Sequence, residues 1–188
     1  MNYKIIPASN SPRRKTLLKG LDIDFEVRVI SSIDESYPHG MTPDEIPVYI
    51  AQKKANAYYA TMQPDELIIT ADTVVVLDGD IIEKPAGKNE AIEMLKRLSG
   101  RKHQVITAVT LSTIEKCKSF SVSSFVDFAN LAEEEITYYV EQYKPYDKAG
   151  GYGIQEWIGY IGVRSIEGSF YNVMGLPVQR LYQELKRF

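Results

Sequence analysis

With 188 residues, 44% hydrophobic and 25% charged, the chain has the make-up of an ordinary globular domain, long enough to bury roughly 70% of its unfolded surface. A formal net charge of −3 argues against a general nucleic-acid binder held by backbone electrostatics, and without an apolar run near ~18 residues or a basic-then-apolar leader, neither a membrane span nor a secretory signal is expected. Cys117 alone cannot form an internal disulfide, and His39 and His103 cannot build a histidine-rich metal centre, so a reducing, cytoplasmic setting is expected, with hard oxygen ligands for any metal.

Tyr3 to Ala8 reads as an opening strand and Lys15 to Leu21 as a short helix stopped near Gly20. Between them stands Ser9-Asn10-Ser11-Pro12-Arg13-Arg14. Ser11 suits an N-cap and Pro12 a first helical residue. Arg13 and Arg14 then fall in the first turn, where the helix dipole disfavours cations. An anion in front of the helix would offset that cost, because free N–H groups and guanidinium forks together suit a phosphate. A capped helix with two solvated arginines is the plainer account, and helix physics alone does not choose.

Phe25 to Ile30 alternates like a strand. After a loop from Ser31 to about Met41, Thr42-Pro43-Asp44-Glu45 signals a helix that runs to about Met62. Ile46, Tyr49, Ile50, Ala57 and Ala60 share its apolar side. Leu67 to Leu77 has the near-continuous apolar pattern of a central strand, and Asp78-Gly79 turns it back through Ile81-Ile82. Asn89 to Leu98 is helical, stopped by Ser99-Gly100. His103 to Thr113 and Lys118 to Leu131 form two long strands joined near Glu115-Lys116, followed by a helix from Glu133 to Tyr143. Lys144 to Gln155 is a proline- and glycine-rich loop, and Trp157 to Val163 is apolar. Leu176-Pro177 opens a last helix with Val178, Leu181, Tyr182 and Leu185 inward. With no repeat or linker, a single α/β domain over residues 1–188 is expected.

Several polar groups stand where packing alone would not put them. Asp72 lies inside the central strand, where a carboxylate is costly unless paired, hydrogen-bonded or bound to metal. It is therefore either a structural acid bonded to neighbouring backbone or a metal ligand or general base. Lys84, in Glu83-Lys84-Pro85, follows the return strand of the hairpin. Lys53 and Lys54 both border an apolar stripe, and periodicity does not decide which turns inward. Lys148-Ala149-Gly150-Gly151-Tyr152-Gly153-Ile154-Gln155 is a glycine-dense loop whose backbone can approach a ligand closely, although it matches no standard phosphate loop. Glu35, a loop acid, says little by itself.

Taken together, these blocks resemble the Maf family of nucleoside triphosphate pyrophosphatases over nearly the whole length. Added to the stretches already quoted are Ala51-Gln52-Lys53-Lys54-Ala55, Ala71-Asp72-Thr73-Val74-Val75, Leu98-Ser99-Gly100, Gly168-Ser169 and Val173-Met174-Gly175-Leu176-Pro177. The resemblance implies an elongated α/β fold, a mixed sheet flanked by helices with a central cleft, similar to the inosine-triphosphate pyrophosphatases. It implies hydrolysis of a nucleoside triphosphate to monophosphate and pyrophosphate with a divalent metal, magnesium or manganese. Asp72 matches the family's proposed proton acceptor. Ser11, Arg14, Glu35, Lys54 and Lys84 match its polar cleft residues; of these, Ser11, Arg14, Lys54 and Lys84 would bind phosphate, and Glu35 with Asp72 would supply metal ligands. Arg13, Thr73 and Gln155 match the positions of substrate choice, and this trio resembles the subgroup acting on dTTP and UTP. The 7-methyl-GTP subgroup usually has tryptophan, glutamine and glutamate there. One departure is Glu156, where many members have glycine. The alternatives are a pyrophosphatase for modified purine nucleotides such as 7-methyl-GTP and a non-catalytic nucleotide-binding regulator of cell division. A homodimer fits the resemblance; a nucleic-acid or membrane partner does not.

Overall fold

The computed structural model describes residues 3–188. Six strands, β1 (Lys4–Pro7), β2 (Glu66–Leu77), β3 (Asp80–Ile82), β4 (Lys102–Ser112), β5 (Cys117–Phe128) and β6 (Val163–Glu167), form one mixed sheet. Its order is β1-β2-β4-β5-β6, with β3 also paired to β2. β1 runs parallel to β2, Lys4 opposite Glu66 and Pro7 opposite Ile69. β3 returns antiparallel along β2, Val75 opposite Ile82, as the Asp78-Gly79 turn predicts. Among the described residues, seven helices accompany the strands: α1 (Pro12–Lys19), α2 (Glu45–Asn56), α3 (Lys88–Leu98), α4 (Glu133–Tyr143), α5 (Trp157–Gly162), α6 (Phe170–Val173) and α7 (Val178–Arg187). The mixed α/β class agrees with the sequence expectation. No described helix is long and apolar enough to cross a membrane.

Two compact units divide the chain. The first comprises the residues up to Thr73, Thr107–Val122 and Gly175–Phe188; the second comprises Val74–Ile106 and Ser123–Met174. In the first, Ile6, Tyr58, Met62 and Ile68 form a buried cluster. The Tyr58 hydroxyl accepts from Ile30 N at 2.8 Å and donates to Arg28 O at 3.1 Å, holding the chain that follows α1. Buried Glu66 is neutralised by the two guanidinium nitrogens of Arg28. In the second unit, α3 buries Leu95 and Leu98, and α4 buries Ile136, Tyr139 and Val140, in one cluster with Phe128 and Tyr152.

Three expectations are corrected, and one strand is added. Phe25 to Ile30 forms a single bridge, Phe25 opposite Ile5, with Glu26 N and Arg28 N bonded to the β1 carbonyls of Ile5 and Pro7, and is not a strand of the sheet. The second helix stops at Asn56, followed by a short 3₁₀ turn, so Ala57 and Ala60 are exposed while Ala51 and Ala55 are buried. On α7, Tyr182 faces out and Glu184 is buried, held by Lys118 and by Arg180 at 2.8 Å. β6, unassigned from sequence, pairs antiparallel with β5 through a bulge at Asp127 and Phe128. The Gly168-Ser169 pair has a structural role: Ser169 N donates to Ser124 Oγ at 3.0 Å, and the Ser169 hydroxyl caps α6.

His103 is 2% exposed on β4, its Nε2 2.7 Å from the Tyr152 hydroxyl and its ring edge-on to Phe128. Burial pushes its pKa from 6.5 down to about 4. Between those values the unfolded chain binds a proton that the folded chain does not, so stability falls as pH drops through that window. The full effect is roughly 3 kcal/mol. Urea unfolding from pH 7.5 to 4 should therefore show a stability loss in the wild type larger by about that amount than in His103→Phe. Parallel pH curves would contradict a neutral, buried His103.

Candidate active site

Ser11 caps α1, its hydroxyl accepting from Arg14 N at 3.4 Å, and Pro12 is the first helical residue, as read from sequence. Arg14 does not point into solvent. Its Nε donates to Gly175 O at 2.8 Å, Nη1 to Ala71 O at 2.9 Å and Nη2 to Thr73 Oγ1 at 3.1 Å. The side chain thus gives three of its five N–H donors to the protein itself. Burial lowers the guanidinium pKa from its usual range, and the charge of Asp72 acts against that lowering. The cost of a cation at a helix start is met here by carbonyls and a carboxylate of the same unit. Arg14 ties α1 to β2 and to the turn before α7. Gly175 takes φ +108, and a Cβ there would stand 3.5 Å from Thr73 Oγ1 and 3.6 Å from Arg14 Nε. Thr73 Oγ1 lies 2.9 Å from Thr107 Oγ1, joining β2 to β4. Arg13 is half-buried at the start of α1.

Asp72 is 7% exposed in β2. Lys54 Nζ sits 2.9 Å from Asp72 Oδ1 and 3.0 Å from Glu35 Oε1, so one ammonium spans two carboxylates. α2 delivers that lysine because Ile46, Ile50, Ala51 and Ala55 bury its inner stripe, and Thr70 Oγ1 donates to Ala51 O at 2.6 Å. Thr70 and Asp72, two apart on the strand, face the same side. The adjacent Lys53 reaches outward to Asp34 at 2.7 Å and to Ser36 O at 3.0 Å. Of the two lysines left open by periodicity, Lys54 turns inward.

Those two carboxylates also decide whether a metal suits the site. No group of three or more His, Cys, Asp or Glu side chains arranged to hold an ion occurs among the described residues. Magnesium commonly takes one or two protein carboxylates and completes its shell with water and substrate phosphates. Glu35 and Asp72 around one centre fit that pattern.

The second unit carries Lys84 and Gln155. Gly150 N, in the glycine-dense loop, donates to Glu83 O at 3.1 Å, tying this loop to the Glu83-Lys84-Pro85 segment. Gly150 takes φ +73, and a Cβ there would approach Val75 Cγ2 to 3.0 Å. Lys148 is buried, its ammonium 2.8 Å from Asp147 and 3.2 Å from Glu156. Gln155 is half-buried, and its Oε1 has no hydrogen-bond partner among the described residues. Glu156 accepts from the Tyr139 hydroxyl, and that hydroxyl accepts from Gly153 N at 2.9 Å. Tyr139 carried no sequence signal; its role exists only because α4 packs against this loop.

Residues 4–188 match the family model described as Maf-like protein. The dTTP/UTP pyrophosphatase of Parabacteroides distasonis is 66% identical over 186 residues, covering 99% of this chain and 96% of that protein. The dTTP/UTP pyrophosphatase of Bacteroides thetaiotaomicron is 60% identical over 185 residues, 98% of this chain and 96% of that protein. Among solved structures, the Ham1 protein of Staphylococcus aureus shares the fold, with a TM-score of 0.51 at 19% identity over 96% of this chain and 99% of that one.

Removing the Arg14 guanidinium leaves the buried Ala71 and Gly175 carbonyls without that donor. Arg14→Ala should lower unfolding free energy in urea by about 2–4 kcal/mol, from ~1–3 kcal/mol per unsatisfied group. Arg14→Lys, with a single ammonium in place of a fork, should recover only part of it. A loss below about 1 kcal/mol would mean that the carbonyls find other partners.

Proposed function

The chain belongs to the Maf-like family, and from that premise we propose that it hydrolyses dTTP and UTP to the monophosphate and pyrophosphate, the activity its near-full-length relatives are named for. The observation that carries the reading is the Glu35–Lys54–Asp72 cluster, a buried carboxylate paired with one lysine and facing a second carboxylate. Attack of water at the α-phosphorus forms the new P–O bond, breaks the bond to the β-bridging oxygen and releases pyrophosphate. Asp72 takes the proton from that water. Lys54 brings positive charge toward the phosphate oxygens, and Ser11 and Arg14 line the same unit's helix start. A divalent ion held by Glu35 and Asp72 would supply further positive charge against the triphosphate. Lys84 keeps the phosphate-binding role implied by resemblance. Arg13 and Thr73, in the first unit, and Gln155, in the second, keep the substrate-choice roles implied by resemblance. Arg14's bonds to Thr73 and Gly175 support a second duty for that arginine, fixing the residue that helps choose substrate.

The reading includes a cytoplasmic setting, which the exposed free thiol of Cys117 supports. It also includes a homodimer, on resemblance alone.

Purified protein with magnesium and dTTP or UTP should release pyrophosphate and the monophosphate, and chelator should abolish release. Diphosphate with free phosphate would overturn the reaction assignment. Asp72→Asn should reduce turnover by at least ~10²-fold, the low end for a general base. Its unfolding midpoint should stay near wild type, because the amide oxygen still accepts from Lys54. Turnover near wild type with collapsed stability would make Asp72 purely structural.

Thymine and uracil present an N3–H donor between O2 and O4 acceptors, and an amide can pair with both kinds. Glutamate at position 155 can only accept. Gln155→Glu should lower kcat/KM for dTTP and UTP by about 5- to 150-fold, the cost of one mismatched buried group. Comparison with CTP and 7-methyl-GTP checks this. Equal losses on all four nucleotides would assign Gln155 to loop shape, and a wild-type preference for 7-methyl-GTP would overturn the subgroup.

A further inference from the structure

The two carboxylates that suit a divalent ion already share a cation of the protein's own. Lys54 Nζ lies 2.9 Å from Asp72 Oδ1 and 3.0 Å from Glu35 Oε1. Magnesium bonds its oxygen ligands at ~2.0–2.1 Å, so an ion on either of these oxygens would stand at most about 5 Å from the ammonium. A single and a double positive charge that close repel each other, most of all where little water screens them. Only 13% of the Lys54 side chain and 10% of the Asp72 side chain are exposed. The lysine and the ion therefore exclude each other from the space between the carboxylates.

Two carboxylates and one ammonium leave a single net negative charge to attract an ion, a weak lure for a cation that gives up its water reluctantly. The lysine, however, can leave. α2 fixes its backbone by burying Ile50, Ala51 and Ala55, but the four-carbon stem beyond is flexible. Glu35, with 45% of its side chain exposed, opens one side of the cluster to solvent. A phosphate group, which accepts charge-assisted bonds as a carboxylate does, offers the ammonium another partner. Lys53 has no such part. It reaches outward to Asp34 at 2.7 Å and to Ser36 O at 3.0 Å.

We propose that Lys54 gates the metal site: its ammonium competes with a divalent ion for Glu35 and Asp72, and a nucleotide phosphate relieves the competition by drawing the ammonium away. Metal binding is then weak in the free protein and strong once the nucleotide is in place, and by linkage each tightens the other. The nucleotide's part in this rests on the dTTP and UTP reading above, whereas the competition needs only the three side chains.

The test is manganese binding to the full chain without nucleotide, followed by electron paramagnetic resonance of the free ion. Lys54→Met removes the ammonium and keeps the stem. It should bind manganese at least about 10-fold more tightly than wild type, the scale of repulsion ~5 Å apart even in water. Lys54→Arg keeps the charge and should show no gain. Lys53→Met removes the same charge from outside the cluster, and screening by salt should hold its effect below about threefold. Adding Asp72→Asn to Lys54→Met should cancel the gain. Saturating dTMP, a phosphate that chelates manganese only weakly, should tighten binding more in wild type than in Lys54→Met. If Lys54→Met does not fold, Lys54→Gln replaces it in every comparison. Affinity unchanged or weakened in Lys54→Met, an equal gain in Lys54→Arg or Lys53→Met, or a gain that survives Asp72→Asn overturns the competition. Equal effects of dTMP on both proteins overturn the relief by phosphate. A wild-type protein that releases no pyrophosphate from dTTP or UTP overturns the functional reading, and the competition is then judged by manganese binding alone.

Discussion

Burying a carboxylate inside a strand sets the terms for the first unit of this protein. Asp72 is almost out of water on β2, and an unpaired charge there would cost several kcal/mol or more. Lys54 offsets that cost, and it can do so only because α2 is seated on β2 through Ala51, Ala55 and the Thr70 hydroxyl. Glu35, nearly half exposed at 45% of its side chain, shares the same ammonium and keeps one side of the pair open to solvent. A fold that needed only stability would gain as much from an apolar residue at position 72. The charge at Asp72 fits the general-base role proposed for it at the phosphoanhydride.

A second polar knot organises the neighbouring residues. Arg14 joins Ala71 and Thr73, which flank Asp72 on β2, to Gly175 before α7. The residues on either side of Asp72 are thus held by one rigid fork. The Glu156–Tyr139–Gly153 bonds give the second unit its counterpart, fixing the backbone on both sides of Gln155.

Much of this was legible in the amino-acid order where local physics is strong. α3 and α4 appear within a residue of their expected limits because their apolar spacing and stop signals agree. Ser11 and Pro12 behave as cap and first turn for the same reason. Asp72 stood out because a charge in an Ile- and Val-rich run has few explanations. What sequence could not supply was distant partnership. The cation at the start of α1 suggested an external anion, yet oxygens 57 and 161 residues away absorb much of it. Glu184 is buried because Lys118, on another element, reaches it, which no helical periodicity shows. The Tyr139–Glu156 bond was invisible because Tyr139 lies on a helix whose own pattern is explained by packing.

The central claim is that water, activated beside the buried Asp72, attacks the α-phosphorus of the nucleotide. Turnover of dTTP in oxygen-18-labelled water, with mass analysis of both products, tests it most directly. The account predicts one labelled oxygen in the thymidine monophosphate and none in the pyrophosphate. Label in the pyrophosphate would place attack at the β-phosphorus and contradict the account.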